Sequence, residues 1–129
     1  MLDSLFGNSS FTAMTEALNA STLRQQVIAN NLANVNTPGY KRQTVQFESA
    51  LDAALKQRAG GLYAVPQQPI SAIKPTVVSD NSTSMRTDGN NVDPEVENAD
   101  LAINTIKYET LVQSVTNYFQ DLKTAVLGR

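Results

Sequence analysis

Asn30-Asn31-Leu32-Ala33-Asn34-Val35-Asn36-Thr37-Pro38-Gly39-Tyr40-Lys41-Arg42 is the stretch at which the chain changes course. Leading into it, spacings of three and four residues join Phe11, Met14, Leu18, Ser21, Gln25, Ile28, Leu32 and Val35. Six of these eight are apolar, which predicts a helix with a coiled-coil-like seam broken by two polar residues. A shallower stripe of Ala13, Ala20 and Val27 runs beside it. The helix is expected over residues 10–36, about 40 Å long. Asn34 and Asn36 are weak helix residues, Pro38 bars the helical region at Thr37, and Gly39 follows. Thr37-Pro38-Gly39-Tyr40 has Pro second and Gly third, the order of a type II turn, where glycine alone readily takes positive φ. Lys41 and Arg42 are then expected to point away from the helix.

A second helix is signalled at the far end. Asp93 can cap it, Pro94 suits a first position that needs no N–H, and Glu95 and Glu97 complement the helix dipole. Its seam is Leu101, Asn104, Tyr108, Leu111, Val115, Tyr118, Leu122 and Ala125. Running over 94–127, it would be about 50 Å long. Val112, Phe119 and Val126 form another row, and Ala99, Ile103 and Ile106 widen the apolar arc. A two-helix hairpin covers one stripe per helix, so these rows call for neighbouring molecules. The alternative is that the middle of the chain folds back over them.

Between the helices, Thr44 to Phe47 alternates weakly. Phe47, Ala50, Leu51, Ala54 and Leu55 predict a short amphipathic helix ending before Gly60-Gly61. Thr76-Val77-Val78 and Ser84-Met85-Arg86-Thr87 could pair as strands, with turns at Asp80-Asn81 and Asp88-Gly89. Pro66, Pro69 and Pro75 favour an extended, exposed path. The expected architecture is therefore mainly α: long N- and C-terminal helices paired as a coiled coil, with a short irregular, β-containing middle segment. Its parts are residues 1–36, 37–92 and 93–129.

Composition removes several functions. The 129 residues make one domain of ordinary size, with 6% aromatics and a mean hydropathy of -0.26, thin material for a dense core. There is no His and no Cys, so imidazole catalysis, thiolate chemistry and disulfides are absent. Glu95 and Glu97, two apart, face different sides of a helix and make no catalytic pair. The Asp88–Asp93 run has its Gly second rather than sixth and so departs from a calcium loop. No enzyme, catalytic residue, metal site, cofactor or small-molecule substrate is expected. A net charge of -2 argues against nucleic acid, and no apolar run approaches a membrane span. The start, Met1 to Gly7, has neither the basic region nor the apolar stretch of a cleaved signal. Either the protein stays inside the cell or it leaves by a route that reads no such signal. Charge is segregated: residues 24–58 carry five cations against two acids, residues 87–109 six acids against one cation. Unlike blocks of this kind suit self-association, or the acids simply serve a helix start.

The Asn30–Arg42 run resembles the signature of the bacterial flagellar rod and hook family, whose N-terminal helix ends in NNLANxNTPGYK. The carried-over motif positions are Asn30, Asn31, Leu32, Ala33, Asn34, Asn36, Thr37, Pro38, Gly39 and Tyr40. Asp88-Gly89-Asn90-Asn91-Val92-Asp93-Pro94-Glu95-Val96-Glu97, followed by Asn104-Thr105-Ile106-Lys107-Tyr108-Glu109, is similar to the C-terminal region of a short proximal-rod member. The resemblance implies a structural subunit of the flagellar basal-body rod, a drive shaft for torque and motility. It implies export through the flagellar type III apparatus without a cleaved signal peptide, into a periplasmic rod. Implied partners are further copies and other rod subunits, the rod adapter FliE and the membrane ring at the rod base. Helix packing and assembly would fall to Phe11, Met14, Leu18, Ile28, Leu32, Val35, Leu101, Ile103, Tyr108, Leu111, Val115, Tyr118, Phe119 and Leu122. Within such a polymer, the amides of Asn30 and Asn31 would hydrogen-bond adjacent subunits. A sister proximal-rod subunit and a soluble helical adaptor are the competing readings.

Overall fold

The computed structural model describes residues 9–59, 69–84 and 86–128. Helix α1 runs Ser9–Ala33 and helix α3 runs Pro94–Leu127, the two longest elements. They lie antiparallel. Asn31 meets Glu97 at 3.0 Å, Asn104 meets the Ser21 carbonyl at 2.9 Å, and the Phe11 and Tyr118 rings stack with centroids 5.4 Å apart. As numbers fall along α1 they rise along α3.

The ends of α3 follow from their residues. Asp93 accepts the Glu95 N–H at 2.9 Å, Pro94 opens the helix, and Gly128 closes it at φ 67 with its N–H on the Thr124 carbonyl. Helix α1 stops at Ala33, three residues short of the expected 36. The Asn34 amide donates to its own helix at the Asn30 carbonyl, and the Thr37 N–H closes a tight turn on the Asn34 carbonyl. Asparagine competes with the ladder there rather than extending it. The Thr37–Tyr40 turn has the expected form: Gly39 sits at φ 72 and the Tyr40 N–H reaches the Thr37 carbonyl at 3.2 Å.

The middle segment forms a layer on α1. Strand β1 (Gln43–Gln46) leads into helix α2 (Glu48–Ala59), and a single 3-10 turn at Ile70–Ala72 precedes strand β2 (Thr76–Ser79). β1 and β2 pair antiparallel, Val45 opposite Val77. The strand at 76–79 thus exists, but its partner is 43–46. Arg86 instead sits in a turn, the Gly89 N–H bonding the Arg86 carbonyl and the Arg86 N–H the Asn90 carbonyl. Between Pro69 and Pro75 the path is exposed only in part: Ser71, Ala72 and Lys74 face solvent, while Ile70 and Ile73 are buried. Gly60-Gly61, Pro66, Met85 and the first eight residues lie outside the described residues.

The core joins Ala20 of α1, Phe47 and Ile73, with Ala17, Leu51 and Ala54 packed around them. Burying one large side chain of this kind contributes about 1.5–3 kcal/mol. Because α1 is covered on two sides, its buried arc is Glu16, Ala20, Ser21, Val27, Ile28 and Asn31. Of the expected seam only Ser21 and Ile28 are fully buried; Phe11, Met14, Leu18, Leu32 and Val35 are half-buried and Gln25 is exposed. The middle layer draws the buried face round the helix toward the Ala20–Val27 stripe.

Candidate functional site

The end of α1 and the start of α3 are clasped by a buried polar network. Asn31 has no exposed surface. Its amide N–H groups donate to the Gln43 carbonyl at 2.8 Å and to Glu97 Oε2 at 3.0 Å. Its Oδ1 accepts from the Gln43 N–H at 3.0 Å and the Tyr40 hydroxyl at 3.2 Å. One side chain therefore ties α1 to the turn, to β1 and to α3. The intermolecular role expected for Asn31 is replaced by an internal one, since its N–H groups and Oδ1 are all engaged and no surface is left for a neighbour. Asn30 is exposed.

Glu97 is also fully buried. The Arg42 guanidinium donates through Nε to Glu97 Oε1 and through Nη2 to Asp100 Oδ2, the latter at 2.7 Å. Arg42 thus turns back onto α3 instead of pointing away, because a buried carboxylate needs a cation more than the guanidinium needs water. Lys41 takes the neighbouring course and donates to the Thr83 carbonyl at 3.0 Å. Burial would lower the Arg42 pKa, but the hydrogen bond and charge of Glu97, with Asp100, carry it above its ordinary value. The Tyr40 phenol is pushed up by burial, with the Glu97 charge adding to it. The basic and acidic blocks of the sequence therefore meet at Arg42 inside one molecule.

A second asparagine closes the helix end. Asn90, with no exposed surface, donates to the carbonyls of Asn34, Val35 and Thr37 at 3.0, 3.1 and 2.9 Å. Carbonyls beyond the last helical turn have no partner within the helix, and Asn90 supplies one. Its Oδ1 accepts the Val92 N–H, which sets the approach to the Asp93 cap. Asn91 accepts the Arg42 N–H at 2.7 Å and donates to the Asp80 carbonyl and Thr83 Oγ1. Replacing Asn90 by alanine should destabilise the chain by about 1–3 kcal/mol, because the buried Val92 N–H loses its acceptor and the carbonyls after the helix lose a shared donor. Urea unfolding followed by circular dichroism measures it; an unchanged midpoint would remove Asn90 from this role.

These groups hold one another. The Glu97 and Asp100 carboxylates are engaged by Arg42, and among the described residues no cluster of three acids could hold a metal. Sequence reasoning missed Arg42, Asn90, Asn91 and Glu97. The available signal was Glu97 itself, one helical step ahead of Leu101 on the seam, where an acid needs a cation in trans.

The remaining expected residues line the outside of the helix pair. Leu101, Leu111, Val115, Tyr118 and Leu122 are half-buried, while Tyr108, Val112, Phe119 and Val126 are 40, 41, 45 and 74% exposed on one flank of α3 and Ile103 is 52% exposed on the other. Phe11 packs edge-on to Phe119 at 5.6 Å as well as on Tyr118. On the other flank of α3 an apolar groove of about 360 Å³ opens between α1, α2 and α3, lined by Ala17, Phe47, Leu51, Ile106, Lys107 and Leu111 among others. Asn104 lines the adjoining hollow; its Oδ1 is buried and has no partner among the described residues.

Comparison with known proteins bears on both ends of this architecture. Residues 12–41 match the family model described as "Flagella basal body rod protein". The chain is 34% identical over 121 residues to the flagellar basal body rod protein FlgB of Bacillus subtilis, covering 89% of this chain and 91% of the relative. It is 34% identical over 122 residues to FlgB of Yersinia enterocolitica, covering 85% and 86%. Against FlgB of Salmonella typhimurium it is 30% identical over 119 residues, covering 84% and 85%.

Proposed function

The chain belongs to the flagellar basal body rod protein family, and on that premise we propose that it is a structural subunit of the proximal rod, built to transmit torque rather than to perform chemistry. The observation that carries this reading is the similarity to FlgB proteins along most of both chains. It is supported by an antiparallel helix pair whose outer apolar side chains are left uncovered. A shaft under torsion needs long helices clamped at their ends and lateral contacts along their length, and the Asn31–Glu97–Arg42 clasp provides the first of these. The half-buried and exposed residues of the two helices, from Phe11 and Met14 to Phe119 and Leu122, provide the second. Other rod subunits, the adapter FliE and the membrane ring at the rod base are its neighbours, and the flagellar type III apparatus exports it uncleaved.

Purified basal bodies test the proposal. The tagged chain should co-purify with rods, and its deletion should abolish both rods and swimming. A soluble adaptor would instead stay in the cytoplasmic fraction, and swimming deletion cells would reject the rod reading.

A further inference from the structure

We propose, resting on the rod-subunit reading, that neighbouring copies pack side by side with parallel α3 helices, the Tyr108–Val112–Phe119 face of one copy covering the groove between α1, α2 and α3 of the next. The argument begins with charge. On a 3.6-residue helix, Lys107 and Asp121 lie on the groove flank of α3, while Glu109 and Lys123 lie on the opposite flank beside the Val112–Phe119 row. All four are exposed, and none forms an ion pair among the described residues. Each pair is separated by the same interval along the helix, about 21 Å, and the signs are reversed. Two parallel α3 helices offset by about 3 Å therefore set Glu109 of one copy against Lys107 of the next, and Lys123 against Asp121.

That offset brings Tyr108 and Val112 level with Ile106 and Thr110, at the apolar groove. Its neighbouring hollow also holds the one buried side-chain atom without a hydrogen-bond partner among the described residues, Asn104 Oδ1. A contact between two different faces of one molecule repeats without end when its rotation does not close, which is what a rod requires. The same charges also match in two antiparallel two-fold pairings, Glu109 with Lys123 or Lys107 with Asp121 of the other copy; both close on themselves, and the first leaves the groove empty.

The chain has no cysteine, so single cysteines can be placed without background. In cells co-expressing a Lys107→Cys copy and a Glu109→Cys copy, a short bismaleimide applied to isolated basal bodies should give a covalent dimer. Co-expressed Glu109→Cys and Lys123→Cys copies should give none, nor should Lys107→Cys and Asp121→Cys copies; a dimer in either case reveals a two-fold pairing and overturns the proposal. Rods that assemble without the first dimer also overturn it, while leaving the rod-subunit reading intact. A chain absent from basal bodies overturns both. As a second measure, Lys107→Glu should reduce swimming and Glu109→Lys added in the same chain should restore it; absence of rescue counts against the contact.

Discussion

Replacing Glu97 with alanine should cost about 3 kcal/mol of folding stability, the low end of the range for breaking a buried ion pair. The effect is large because Glu97 is fully buried and serves two partners at once, the Arg42 guanidinium and the Asn31 amide. It stays at the low end because Arg42 keeps Asp100 in the variant. Against a total stability of about 5–15 kcal/mol for a small domain, such a loss populates the unfolded state visibly. Glu97→Gln retains an acceptor and should lose less. Urea titration of both variants beside the wild type gives the comparison. Equal midpoints for alanine and wild type would mean that the clasp is not what joins the two helices at this end.

The clasp was also the part of the molecule hardest to read from sequence. Helix α3 was legible to its boundaries, because Asp93-Pro94 is a local start signal and the apolar repeat behind it is interrupted only at Asn104. The Pro38-Gly39 turn was legible for the same reason: its geometry is decided by residues in contact along the chain. The β1–β2 pairing depends on segments some thirty residues apart, and Thr76–Val78 alone does not say which stretch it joins. The Asn31–Glu97 bond spans 66 residues. Nothing local distinguishes Asn31, which is buried, from Asn30, which is exposed. Periodicity read α1 against one partner, α3, whereas Phe47 and Ile73 press on a second side and move its buried arc. Hydrophobic spacing identifies a helix reliably; which apolar stripe is covered depends on layers that the stripe itself does not encode.

Val112→Asp should leave the isolated chain folded yet abolish swimming. Val112 is 41% exposed and takes no part in the Ala20–Phe47–Ile73 core, so a carboxylate there stays hydrated in the free molecule. Valine and aspartate have similar helix propensities, and the change in folding stability should stay within about 0.5 kcal/mol. In the rod the same carboxylate would be pressed against an apolar neighbour, and desolvating an unpaired charge costs several kcal/mol at every repeated contact. Ile28→Asp is the contrasting case: Ile28 is 4% exposed inside its own chain, so a charge there acts on the fold before any assembly begins. Thermal melts and swim-plate assays on the two variants separate the effects. Unchanged melting with lost swimming for Val112→Asp places that residue at a subunit contact. Swimming cells would show that the exposed α3 row is not where the copies meet, and the assembly surface would have to be sought elsewhere on the helix pair.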